Sequence, residues 1–117
     1  MGYIRNHAII VTATYGNYIE LAHAKATKIF PWVSPISVPE LNESRSFFIP
    51  PDGSKEGWVE SDIGNKERAE FKSWLRKQAY EDESTPLDWC EVRYGGNDLD
   101  AAVEAHCHEK ILICPKR

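Results

Sequence analysis

His106, Cys107, His108 and Cys114 stand close together near the end of the chain, and imidazole and thiolate are side chains that zinc accepts readily. Their order speaks against a shared ion. On a strand, successive side chains point to opposite faces, so His106 and His108 converge only if Cys107 turns away. The group is therefore expected to be a polar turn before an edge strand, with no metal bound. Cys90 alternates with Val92 and Tyr94 on what reads as the apolar face of a strand, where a thiol packs as a small hydrophobe rather than a nucleophile. His7 and His23 suggest an acid and a base. A two-histidine phosphodiesterase would carry Ser or Thr two residues after each, whereas His7 is followed by Ala8 and Ile9. No GxSxG, phosphate-binding loop, dinucleotide fingerprint or HExxH occurs, and YGGND reads as a turn.

What remains is RSFFIPPDGSKEGWVESD, Arg45 to Asp62, with the residues just beyond it. Arg45, Lys55 and Arg68 are cations near Phe47, Phe48 and Trp58. Asp62 and Asn65 read as a helix start, whose free backbone amides favour anions. Arginine gives bidentate contacts to phosphate or carboxylate, and aromatic rings offer a stacking face. The expected ligand-binding set is thus Arg45, Lys55 and Arg68 for the anion, Phe48, Trp58 or Tyr94 for stacking, and Asn65 at the helix start. A packing-only alternative turns Phe47 and Ile49 to the core and uses Trp58 to pin the loop, with Lys55 and Glu56 solvated.

The elements that would position these residues are legible in the periodicities. HAIIVTA, His7 to Ala13, is a nearly continuous apolar and β-branched run, which predicts a central strand buried on both faces. Asn17 can cap a helix whose apolar positions Ile19, Ala22, Ala26, Ile29 and Phe30 follow helical spacing, and Pro31 stops it. Val33 to Leu41 contains Pro35 and Pro39, which suit only an edge strand or an extended segment. Arg45 to Ile49 reads as a strand ended by the turn chemistry of PPDG. Asn65 to Ala79 sets Phe71, Trp74, Leu75 and Ala79 on one helical stripe. Asp88 to Tyr94 alternates, with Cys90, Val92 and Tyr94 inward and Trp89, Glu91 and Arg93 outward. A short helix is expected over LDAAVEAH, capped by Asp98, and a last strand over Ile111 to Cys114.

The order βαββαβ(α)β predicts an α+β fold, a mainly antiparallel sheet with two principal helices on one face, ferredoxin-like or a related sandwich. The 117 residues suffice for a single domain, residues 1–117, with a core that needs neither disulfide nor metal. A net charge of −4 offers no global field for a polyanion, so no duplex nucleic acid is expected as a partner. Three cysteines without framework spacing fit reduced thiols in a cytoplasm, and no secretory leader or membrane span is apparent.

The run FFIPPDGSKEGWVESDIGNKERAEFKSWL, with HAIIVT before it and PLDWCEVRYG after it, resembles a family of small uncharacterised proteins encoded by tailed bacteriophages. The resemblance covers about His7 to Tyr94. It implies a phage context, the cytosol of a host cell and an accessory role such as counter-defence, and it carries over no catalytic residue. The expected function is non-enzymatic: sequestration of a small anionic or nucleotide-derived ligand, without cofactor, in a site that a homo-oligomer would complete. The alternative is a stoichiometric inhibitor covering a host defence protein or nuclease through an aromatic patch, with Trp32, Trp58 and Trp89 as anchors.

Overall fold

The computed structural model describes residues 3–39, 41–80, 84–97 and 99–108. Its elements are β1 (Tyr3–Ile4), β2 (Asn6–Ala13), α1 (Tyr18–Ile29), β3 (Arg45–Ile49), β4 (Lys55–Glu56), α2 (Val59–Lys77), β5 (Asp88–Tyr94) and β6 (Ala102–His106). β3, β2, β5 and β6 form a four-stranded sheet in that order, and β1 pairs with β4 in a small second sheet. Every pairing is antiparallel. The fold is therefore the expected α+β class. The described pairings lack the parallel split βαβ pairing of a ferredoxin-like fold, so the α+β class holds without that particular topology.

The core lies between one face of the large sheet and the two helices. Ile9, Val11 and Ala13 of β2, Phe47 and Ile49 of β3, Trp89 of β5 and Ala105 of β6 meet Ile19, Ala22 and Ala26 of α1 and Phe71 and Leu75 of α2. The Phe71 ring takes Phe30 edge-on, with centroids 5.8 Å apart. Among the described residues no helix covers the other face, which corrects the expectation that β2 is buried on both sides. Ile10, in the middle of that strand, is 42% exposed.

β5 is out of phase with its expected pattern. Trp89 and Glu91 face the helices, and Cys90, Val92 and Tyr94 lie on the open face with Ile10 and Ala8, to which the strand register ties them. Burying an indole removes more apolar surface from water than burying a thiol, and the Glu91 charge finds cations on α2. The helix expected over LDAAVEAH is replaced by β6, antiparallel to β5, with Ala105 in the core and Glu104 paired to Arg93 at 2.8 Å. Edge pairing here overrides alanine's helix preference. Asp98 and the strand expected at Ile111–Cys114 lie outside the described residues.

α2 begins at Val59, well before the expected start at Asn65. Its buried line is Ser61, Gly64, Arg68, Phe71 and Leu75, at helical spacing, but the first three are not apolar, so the pattern conceals half the helix. After α1 the chain runs back along β3 without becoming a strand. The prolines remove donors, and serine hydroxyls replace part of the ladder. Ser34 Oγ accepts from Phe48 N at 2.8 Å and Ser37 Oγ accepts from Ser46 N at 2.9 Å, while the Ser34 and Ser37 amides donate to Phe48 O and Ser46 O. The outer edge of β3 is thereby closed to strand addition.

Candidate functional site

Three chain segments meet beside the small sheet. They are the end of α1 with Pro31 and Trp32, the turn from Ile49 to Ser54, and the first turns of α2. Between them is a cleft of about 480 Å³, within the range that holds a small organic ligand. Trp32 is 56% exposed and Trp58 is 46% exposed, and both line it together with Phe30, Pro50 and Pro51. Its polar groups are Asp52, Ser54, Glu60, Glu67 and Arg68.

Local sequence explains how these groups come together. Gly57 adopts a φ of 93°, a left-handed conformation that suits glycine, and so swings the chain from β4 into α2 with Trp58 at the junction. Asp52 closes its own turn: Oδ1 accepts from Ser54 N at 2.9 Å and from Ser54 Oγ at 2.6 Å. Its other oxygen rests against the bare backbone of Gly64, where an added Cβ would lie 2.6 Å from Oδ2 and 3.3 Å from Arg68 Nη1. Gly64 thus lets the loop carboxylate approach the helix and its arginine. Burial pushes the Asp52 carboxyl up, but the Ser54 hydrogen bonds and the Arg68 charge outweigh it and hold the group below its usual range.

Arg68 joins this floor to an ionic network under the sheet. Its Nη2 donates to Asn65 Oδ1, and its Nε lies 3.3 Å from Glu91 Oε2. Lys72 Nζ donates to Glu91 Oε1. His7 stands between two carboxylates, with Nδ1 3.6 Å from Glu91 Oε2 and Nε2 3.5 Å from Glu56 Oε2. Glu91 is 4% exposed. Burial pushes its carboxyl up, yet the adjacent His7 ring, the Lys72 hydrogen bond and the charges of Lys72 and Arg68 prevail and bring it down to about 2. A carboxylate so readily ionised is a weak base, and its physical effect is to fasten α2 to β5.

The seven residues expected to bind ligand fall into three places. Trp58 and Arg68 line the cleft, Asn65 reaches it through Arg68, and the Lys55 ammonium lies over the Trp58 ring at 5.8 Å from its centroid. Phe48 and Tyr94 are instead on the helix-free face, where they border a hollow of about 570 Å³ with Ala8, Ile10 and Val92. Arg45 is tied to α1, donating to Glu20 Oε2 at 2.6 Å and to the Gly16 carbonyl at 3.4 Å. Asn65 is not at a helix start, since α2 already runs through it. Of the three tryptophans proposed as surface anchors, Trp89 is buried at 5% exposure and stacks under Arg76, leaving Trp32 and Trp58.

The histidines and thiols are also accounted for. His23 Nε2 is 2.9 Å from the Ser34 carbonyl and meets Phe47 edge-on, so it braces the return segment, whereas His7 belongs to the Glu91 network. Burial pushes the Cys90 and Cys107 thiols up, which lowers their nucleophilicity at neutral pH. The alternation that separated Cys107 from His108 does not hold, because β6 ends at His106 and the next two residues turn.

Asp52, Gly64, Glu60 and Glu67 are the cleft residues that spacing alone did not single out. The PPDG turn signal pointed to Asp52, but no local pattern links it to Gly64, twelve residues on and inside the next helix. In searches of known protein families, curated proteins and solved structures, nothing matches this chain.

Proposed function

We propose that this protein is a non-enzymatic binding protein of the phage accessory type, acting in the host cytosol, and that its cleft sequesters a nucleoside-like ligand bearing at most one anionic group. The observation that carries this reading is the composition of the cleft: two half-exposed indoles over a floor with three carboxylates and one arginine. Indole faces stack any nucleobase, at about 1–3 kcal/mol per base. Carboxylates accept from exocyclic amines and ribose hydroxyls. Arg68 already faces Glu91 and Asp52, so the cleft is net negative and disfavours a polyanion, leaving room for a ligand with at most one anionic group.

This narrows the expectation of a small anionic or nucleotide-derived ligand, because Arg45 is held at Glu20 and Lys55 lies over Trp58, away from Arg68. Titration calorimetry with nucleosides, nucleoside monophosphates and cyclic dinucleotides tests it. Heat is expected from the first two and weaker heat as phosphates are added. A panel without heat, or tightest binding of the most highly charged member, overturns the reading. A second reading, inhibition of a host defence protein, is favoured by Ile63, exposed in the cleft lining with Trp32 and Trp58 as an apolar anchor patch. Recovery of one stoichiometric host protein with the wild-type chain, lost in Trp32→Ala, would select it.

A further inference from the structure

Asp88 opens β5, and Cys107 and His108 form the turn that leaves the neighbouring strand β6. A carboxylate oxygen, a thiol sulfur and an imidazole nitrogen from these three residues all lie within 4.8 Å of one another. Cys107 Sγ is 3.9 Å from Asp88 Oδ1. Two hydrogen bonds from backbone amides fix the turn: Cys107 N donates to Trp89 O at 3.1 Å, and His108 N donates to the His106 side-chain Nδ1 at 3.2 Å. Cys107 is half-buried and packs against the core, while Asp88 and His108 are exposed.

We infer that Asp88, Cys107 and His108 form a binding site for a single zinc-class divalent ion, with water completing the shell. Zinc takes sulfur at about 2.3 Å and nitrogen or oxygen at about 2.0–2.2 Å, so donors around one tetrahedral ion sit roughly 3.3–3.8 Å apart. Cys107 Sγ and Asp88 Oδ1, 3.9 Å apart, are close to that spacing, and with all three donors within 4.8 Å of one another a side-chain movement of about an ångström closes the shell. The mixed donor set selects the metal class. Calcium and magnesium demand oxygen ligands, whereas a thiolate with an imidazole suits zinc and its cobalt surrogate. Three protein ligands with an open fourth position is the arrangement of an exchangeable or reactive zinc site rather than of a closed structural one. The position is also braced, because two of the three ligands sit on the turn that leaves β6, which Cys107 N ties back to Trp89 O of β5. His106 is excluded from the shell: its Nδ1 is engaged by the His108 amide, and its register partner is Cys90 on the open sheet face.

The test uses the full chain, stripped of metal under reducing conditions and titrated with cobalt(II). Saturation at one equivalent is expected, with a thiolate-to-cobalt charge-transfer band and tetrahedral ligand-field absorption that zinc abolishes. The charge-transfer band should vanish in Cys107→Ser and persist in Cys90→Ser, and His108→Ala and Asp88→Asn should each weaken binding by about tenfold or more. His108 and Asp88 are surface residues, so their variants remain informative even if Cys107→Ser destabilises the fold. Absence of a thiolate band, its survival in Cys107→Ser, or unchanged affinity in both His108→Ala and Asp88→Asn overturns the assignment.

Discussion

Replacing Glu91 with Gln keeps the shape of the side chain and removes its charge from among Arg68, Lys72 and His7. The Glu91 carboxyl falls from 4.5 to about 2 in the folded chain. At about 1.36 kcal/mol per tenfold, the ionised form gains roughly 3 kcal/mol from its surroundings. The side chain is almost fully buried, so solvent screening removes little of this. Leaving two buried cations without their anion gives a similar figure of about 3–5 kcal/mol.

Because the folded value is depressed, this contribution is fully present above the unfolded value of 4.5 and is lost as pH falls through about 2. Urea unfolding of wild type and Glu91→Gln should therefore differ by roughly 3 kcal/mol at pH 7 and by less than half of that near pH 3. Adding Lys72→Met to Glu91→Gln should cost less than the sum of the two single changes, since the second removes a cation the first has orphaned. A difference below about 1 kcal/mol at neutral pH, or a gap that does not narrow on acidification, would refute the claim that charge rather than packing fastens α2 to β5.

Other perturbations probe the cleft and the core separately. Trp58→Ala should abolish the calorimetric response to nucleosides with little loss of stability, since the indole is half exposed, and Arg45→Ala should leave that response unchanged because its guanidinium is held at Glu20. Gly64→Ala relieves up to about 1 kcal/mol of helix cost but drives a methyl into the Asp52 carboxylate. Thermal stability should change little while ligand affinity falls, and an unaltered affinity would remove Asp52 from the site. Leu75→Ala, at a fully buried position, should cost about 2–5 kcal/mol, read as a lower urea midpoint at constant slope.

The packing-only reading of the Arg45–Asp62 stretch describes part of what the structure contains. Phe47 and Ile49 do face the core, yet Trp58 stands half exposed over a cleft rather than sealing a loop. Stacking and charge were expected to act together at one point. Trp58 does stand with Arg68 in the cleft, but the strand register takes Phe48 and Tyr94 away from it, to the opposite face of the large sheet.

Sequence by itself determined the strands β2, β3 and β5, both helices and the antiparallel α+β class, because each rests on a local period or a turn residue that neighbours in the chain supply. Pro31 ended α1 and PPDG ended β3 for reasons contained in a few residues, whereas Asn17 stands at the N-cap position of α1 without the side-chain cap hydrogen bond expected of it. Tertiary structure alone decided which face of β5 turns inward. Both alternating sets carry apolar residues, and the choice is made by Lys72 and Arg68 arriving from α2 to neutralise Glu91. It also decided that β6 is a strand, since only β5 alongside can satisfy its backbone, and that Asp52 meets Arg68 across Gly64. Such pairings depend on residues far apart in the chain whose mutual approach has no local signature.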